Sequence, residues 1–82
     1  MVIDPSNASH LYVGTSEGIF ESKDGGEVWL SKQKGLENLN IRVIVMDPLN
    51  FQILYVGTNG GGLHKSGDGG NSWMPISLTL VP

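Results

Sequence analysis

Short apolar runs alternate along this chain with interruptions rich in Gly, Asn and Asp, and no run sustains a helical period. LYVGT at 11–15, GIFES at 18–22, IRVIVM at 41–46, LYVGT at 54–58 and GLHKS at 62–66 hold β-branched and aromatic residues between turn formers. That composition and length predict strands. IRVIVM is apolar on both faces, with Ile41, Val43 and Val45 on one and Ile44 and Met46 on the other. Such a run predicts a strand buried between layers. The residues after Trp29 and after Trp73 predict one further strand each, and Val2-Ile3 the end of another. Asp4-Pro5-Ser6-Asn7 and Asp47-Pro48-Leu49-Asn50 are turn sequences in which Pro fixes φ and the polar side chains bond nearby backbone. Only about a turn around 34–38 departs from this pattern. The fold class is all-β.

The pattern occurs twice. Val2-Ile3-Asp4-Pro5 answers Val45-Met46-Asp47-Pro48, and LYVGT recurs unchanged, both 43 positions on. SKDGGEVW at 22–29 answers SGDGGNSW at 66–73, 44 positions on. The extra residue falls in the loop between the LYVGT strand and the next, where TNGGG replaces TSEG, a place that accepts insertions. Two units follow, 1–37 with a truncated inner strand and 38–82, each expected to form a four-stranded antiparallel sheet.

Between the third and fourth strands of each unit, every fixed position of the octapeptide acquires a structural task. Asp24 and Asp68 accept hydrogen bonds from backbone N–H groups of their own turn, and Ser22 and Ser66 hold it from the other side. Gly26 and Gly70 take a left-handed conformation that a Cβ would penalise by roughly 1–2 kcal/mol. Trp29 and Trp73 bury large rings and pin the hairpin to the sheet. A calcium loop needs several oxygen donors at alternating positions. One aspartate per turn, with Glu27 near the first, does not supply them, so no metal and no cofactor are expected. Neither turn carries a histidine or a second base, so no catalytic residue is expected there.

The octapeptides, with the flanking DPSN…LYVGT…GIFES and DPLN…LYVGT…GGLHKS, resemble Asp-box (BNR) repeats. Proteins with this pattern include sialidases, xyloglucan-type glycoside hydrolases, sortilin-like receptors and photosystem II assembly factors. The resemblance implies a β-propeller of six to ten blades, one four-stranded blade per repeat, with the Asp boxes as hairpins away from the ligand face. Glu17, Glu37, Asn38, Asn40, Arg42 and Asn59 then form the candidate ligand face. Two blades leave two outward apolar faces. The expectation is a cyclic homo-oligomer that completes the ring, a trimer by preference and a tetramer next.

Composition narrows the function classes. Of 82 residues 39 % are hydrophobic and only 16 % charged, with a net charge of −3. Lys23, Lys32, Lys34, Arg42 and Lys65 are scattered, which argues against nucleic acid as a partner. No apolar run is long enough for a membrane-spanning helix, so no membrane partner is expected. The absence of cysteine excludes disulfides and thiolate metal sites. MVIDPSN lacks the features of a signal peptide, and the sequence assigns no compartment. Asn7-Ala8-Ser9 fits a glycosylation sequon.

Arg42 alone cannot form the arginine triad that resemblance to a sialidase would imply. Glu17 and Glu37 are the only acids on the candidate ligand face, whereas hydrolysis needs two carboxylates roughly 5–10 Å apart. The leading expectation is therefore a non-catalytic propeller module, a self-assembling scaffold or protein-interaction domain. The alternatives are a glycan-binding, lectin-like propeller, with amides and a guanidinium suited to sugar hydroxyls, and a fragment of a propeller glycoside hydrolase. His64 stands where the first unit has Phe20 and is expected as a packed histidine. Tyr12 and Tyr55 share one repeat position and are expected in the core or an interface.

Overall fold

The computed structural model describes residues 1–36, 38–60 and 62–76. Eight strands run through them: β1 (Val2–Ile3), β2 (Leu11–Thr15), β3 (Gly18–Ser22), β4 (Leu30–Ser31), β5 (Ile41–Asp47), β6 (Asn50–Thr58), β7 (Gly62–Ser66) and β8 (Met74–Ile76). They form two four-stranded sheets, ordered β1-β2-β3-β4 and β5-β6-β7-β8, with every neighbouring pair antiparallel. Each unit is thus a meander of hairpins, the topology that short strands with tight turns produce most readily.

The core lies between the two sheets. Tyr12 and Ile19 reach into it from the first, and Ile41, Ile44, Leu54, Val56 and Trp73 from the second, with Val2, Leu36 and Met46 packed around them. Strand alternation selects these residues, because every second side chain shares a face. Val2, Tyr12 and Glu21 are cross-strand partners on one face of the first sheet. Leu54 with Ser66, and Val56 with His64, pair on the opposing face of the second. Burying each large aliphatic side chain here contributes about 1.5–3 kcal/mol. Gly14 permits the close approach. A Cβ at that position would run into the Ile41 side chain, so β5 could not lie so near β2.

Two expectations are corrected. IRVIVM does not keep strict alternation: the register shifts between Ile41 and Val43, leaving Arg42 in a bulge. Ile41 and Ile44 consequently both join the core, while Val43 and Val45 are half exposed on the outer face. The strand is covered on one side, because among the described residues nothing packs on the other. The two tryptophans also differ. Trp73 is 3 % exposed between the sheets, but Trp29 is 37 % exposed because its face of the first sheet has no neighbour among the described residues.

Candidate functional site

The two octapeptide turns have nearly superimposable hydrogen bonding. In the first, the Ser22 hydroxyl donates to Asp24 Oδ1 at 2.8 Å and accepts from the Gly26 N–H at 2.8 Å. Asp24 Oδ1 also accepts from the Glu27 and Val28 N–H groups at 3.1 and 2.9 Å. In the second, Ser66 repeats both bonds to Asp68 and Gly70, at 2.8 Å each. There the Ser72 N–H and hydroxyl reach the two Asp68 oxygens at 2.9 and 2.6 Å. Gly26 and Gly70 have φ of 101° and 89°, the left-handed region that the turn demands.

The converging donors stabilise the ionised carboxylates. The Val28 N–H, the Ser22 hydroxyl and the Glu27 N–H hold Asp24 below its usual pKa. The Ser72 and Ser66 hydroxyls and the Ser72 N–H bring Asp68 to about 2. Both carboxylates are occupied by their own turns. Among the described residues, no group of three or more His, Cys, Asp or Glu is arranged to hold a metal ion.

Beside the second turn lies a charged cluster that sequence reasoning missed. His10 is clamped on both ring nitrogens, Nδ1 at 3.0 Å from Asp4 Oδ2 and Nε2 at 2.6 Å from Glu21 Oε2. The Lys32 ammonium stands 3.5 Å from the other Glu21 oxygen and donates to Asn71 Oδ1 at 3.0 Å. Ser6 caps Asp4 with its N–H at 2.8 Å and its hydroxyl at 2.7 Å. The Tyr12 ring packs 5.0 Å from the His10 ring, and its hydroxyl donates to the Gly69 carbonyl at 2.8 Å, joining the first sheet to the second turn. His10, Tyr12, Glu21, Lys32 and Asn71 border, with Asp68 and Gly69, a groove of about 130 Å³.

The electrostatics of the cluster form a consistent set. Burial opposes a charge on His10, but the Glu21 and Asp4 carboxylates outweigh it and raise its pKa, so the ring favours the doubly protonated form. Ser6 first, then His10, lower that of Asp4. Burial works against the Glu21 carboxylate, yet His10, the neighbouring Tyr12 hydroxyl and Lys32 hold its pKa down. Burial and the Glu21 charge together push the Tyr12 phenol up. Glu21 is an ionised, nearly buried carboxylate with its partners in place, an arrangement that holds structure rather than one poised to give a proton.

A signal for the cluster existed in the sequence. At the positions of His10, Glu21 and Lys32 the second unit has Ile53, Lys65 and Ile76, so three polar residues depart from the repeat together.

Three of the candidate ligand-face residues meet in one corner. The Asn38 side-chain amide donates to the Asn59 carbonyl at 2.9 Å, the Asn40 N–H donates to Asn38 Oδ1 at 2.9 Å, and the Asn59 N–H donates to the Asn40 carbonyl at 2.9 Å. Arg42 lines a cleft of about 150 Å³ with Gly14, Ile41 and Ile44. Glu17 is exposed at the β2–β3 turn, where its N–H donates to Thr15 Oγ1 at 3.0 Å. Among the described residues, neither Arg42 nor Glu17 takes part in an ion pair. Glu37 lies outside the described residues. His64 is buried, and its Nδ1 has no hydrogen-bond partner among the described residues.

No family model matches the chain. It is 37 % identical over 75 residues, 88 % of its length, to a xyloglucanase of Hypocrea jecorina (strain QM6a). It is 27 % identical over 82 residues to a probable oligoxyloglucan-reducing end-specific xyloglucanase of Neosartorya fischeri, with 93 % of the chain covered. The crystal structure of an ancestral GH74 enzyme superposes on 92 % of the chain with a TM-score of 0.82 and 33 % identity. The chain is thus homologous to part of these xyloglucanase and GH74 enzymes, which are β-propeller proteins. It spans about a tenth of the length of each.

These relatives overturn the leading functional expectation, a non-catalytic scaffold or interaction module. That reading rested on the shortage of acids and arginines in two units. A segment covering a tenth of an enzyme need not contain its catalytic groups, so their shortage here does not separate a scaffold from a hydrolase.

Proposed function

We propose that the chain forms two adjacent blades of a propeller glycoside hydrolase acting on xyloglucan, with its octapeptides as the Asp-box hairpins of those blades. The observation that carries this reading is the 37 % identity to a xyloglucanase across most of the chain, with an ancestral GH74 enzyme matching its backbone at a TM-score of 0.82. The blades correspond to 1–37 and 38–82. Their contribution is to sugar binding at the end opposite the octapeptide turns. There Glu17, Asn38, Asn40, Arg42 and Asn59 offer amide, guanidinium and carboxylate groups matched to sugar hydroxyls.

Four of the chain's eight acids are committed to structural bonds. Asp4 and Glu21 are tied ionised to His10, and Asp24 and Asp68 to their turns, so none of these four is ready to protonate a leaving group.

Affinity electrophoresis in gels containing xyloglucan tests the proposal. The chain is expected to be retarded, with the effect weakened by Asn40→Ala or Arg42→Ala and unchanged by Lys23→Ala near the turns. Equal mobility with and without xyloglucan, or retardation indifferent to Asn40 and Arg42, would overturn it.

A further inference from the structure

Three dipeptides of this chain place a glycine after an aspartate or asparagine: Asp24-Gly25, Asp68-Gly69 and Asn59-Gly60. Such a link is open to attack on itself. The glycine nitrogen can reach the side-chain carbonyl carbon of the residue before it, because no Cβ obstructs the five-membered ring that forms. The fold must then leave that nitrogen without a hydrogen bond and that side chain free to turn.

The two aspartyl links are denied both. The Gly25 N–H donates to the Ser9 carbonyl and the Gly69 N–H to the Gln52 carbonyl, each at 2.9 Å. Asp24 Oδ1 is held by Ser22, Glu27 and Val28, and the Asp68 oxygens by Ser66 and Ser72. These donors keep both carboxylates ionised, and an ionised carboxylate carbon is a poor electrophile.

At Asn59-Gly60 neither restraint is present. Both residues are exposed in the turn between β6 and β7, and among the described residues no hydrogen bond engages the Gly60 N–H or the Asn59 side chain. A Cβ built on Gly60 would meet nothing within 4 Å, so the turn is uncrowded. The remaining asparagines, Asn7, Asn38, Asn40, Asn50 and Asn71, each precede a residue that carries a Cβ. Asn7, Asn38, Asn50 and Asn71 are also held through Oδ1.

We infer that Asn59 is a site of spontaneous deamidation. The Gly60 nitrogen gives up its proton to base and bonds to Asn59 Cγ, and the Cγ–Nδ2 bond breaks with release of ammonia. Water then opens the resulting succinimide. Opening at Cγ gives aspartate. Opening at the Asn59 main-chain carbonyl gives isoaspartate, whose backbone runs through Cβ and is one atom longer. Either product exchanges an amide for a carboxylate, and nothing is oxidised or reduced.

The reaction falls in the asparagine corner. The Asn59 carbonyl accepts from the Asn38 side chain, and the Asn59 N–H donates to the Asn40 carbonyl, both at 2.9 Å. In the isoaspartyl form that carbonyl becomes a free carboxylate, so the Asn38 side chain faces a charged acceptor that no longer fixes the main chain. A consequence for sugar binding would rest on the function proposed above. The modification itself does not.

Peptide mapping by mass spectrometry tests it, on the folded chain aged in mildly alkaline buffer beside a sample unfolded in guanidinium. Asn59 is expected to convert first in the folded chain, within several-fold of its unfolded rate and with isoaspartate as the larger product. Asn59→Gln, whose side chain would have to close a six-membered ring, is expected to abolish conversion at this position. The Asp24 and Asp68 links are expected to isomerise only in guanidinium. An Asn59 that stays intact when folded, whatever it does in guanidinium, would overturn the inference. Earlier conversion of any other asparagine in the folded chain would do so too. The readout is the mass and connectivity of one residue, so it is the same whether or not the chain binds xyloglucan.

Discussion

Tyr12 and Tyr55 stand at one position of two repeats, each within the same five residues LYVGT, yet Tyr12 is 1 % exposed and Tyr55 37 %. The tryptophans reverse the order, with the second repeat's ring sealed and the first repeat's half open. The two facts have one cause. Each sheet has two apolar faces, and each repeat buries the one its sister buries least. Repetition in a sequence therefore gives equal local structure without equal energetic weight, because a side chain contributes only where a neighbour excludes water from it.

The largest difference is expected between the two tryptophans. In dilute solution Trp73→Ala is expected to cost about 3–5 kcal/mol in urea unfolding, and Trp29→Ala about 1 kcal/mol or less. Equal losses would mean that both faces are covered even in the single molecule. Gly14→Ala is expected to cost about 1–3 kcal/mol, since its methyl group meets Ile41 in the core. Gly57→Ala, at the matching position, meets the half-exposed Val43 side chain and should cost less.

Tyr12→Phe strands the Gly69 carbonyl and is expected to lose about 1–2 kcal/mol. Tyr55→Phe should be nearly neutral in the monomer, and a matching loss would show its hydroxyl already engaged.

The charged cluster separates the repeats by pH. His10 has a raised pKa, so its stabilisation is complete below its ordinary value of 6.5 and is lost as pH climbs through the folded value. Asp4 and Glu21 have lowered values. Their stabilisation is complete above about 4.5 and is lost as pH falls through the folded values. The urea midpoint should therefore be highest between about pH 4.5 and 6.5. His10→Ile, which installs the residue of the second repeat, is expected to flatten the fall on the alkaline side. A fall that persists unchanged would assign it to another group.

The smallest effect is expected at His64. Replacing it with Phe, the residue of the first repeat, removes a buried ring nitrogen that has no partner, for a gain of about 1 kcal/mol. A loss instead would reveal a use for that nitrogen.

Much of the architecture was legible because its causes are local. The hairpins follow from period-two alternation and from Gly and Asn at the turns. The octapeptide bonds involve residues two to four positions apart, such as Ser22 with Gly26 and Asp68 with Ser72. The Arg42 bulge was not legible, since nothing in IRVIVM marks where the register slips. The His10 cluster was visible only as three residues that break the repeat. The functional class was misread for a different reason: the residues counted span only about a tenth of the length of the enzymes this chain is similar to.

By itself the sequence determined the strands, the turns and their duplication, because backbone sterics and short-range hydrogen bonds act within a few residues. Only the tertiary structure decided which of two equivalent faces is dry and which charges meet. Those outcomes depend on partners far apart in the chain, Tyr12 with Gly69 and Lys32 with Trp73, separated by 57 and 41 positions. Water is excluded from a residue by what packs against it, and no repeat unit carries that information within its own length.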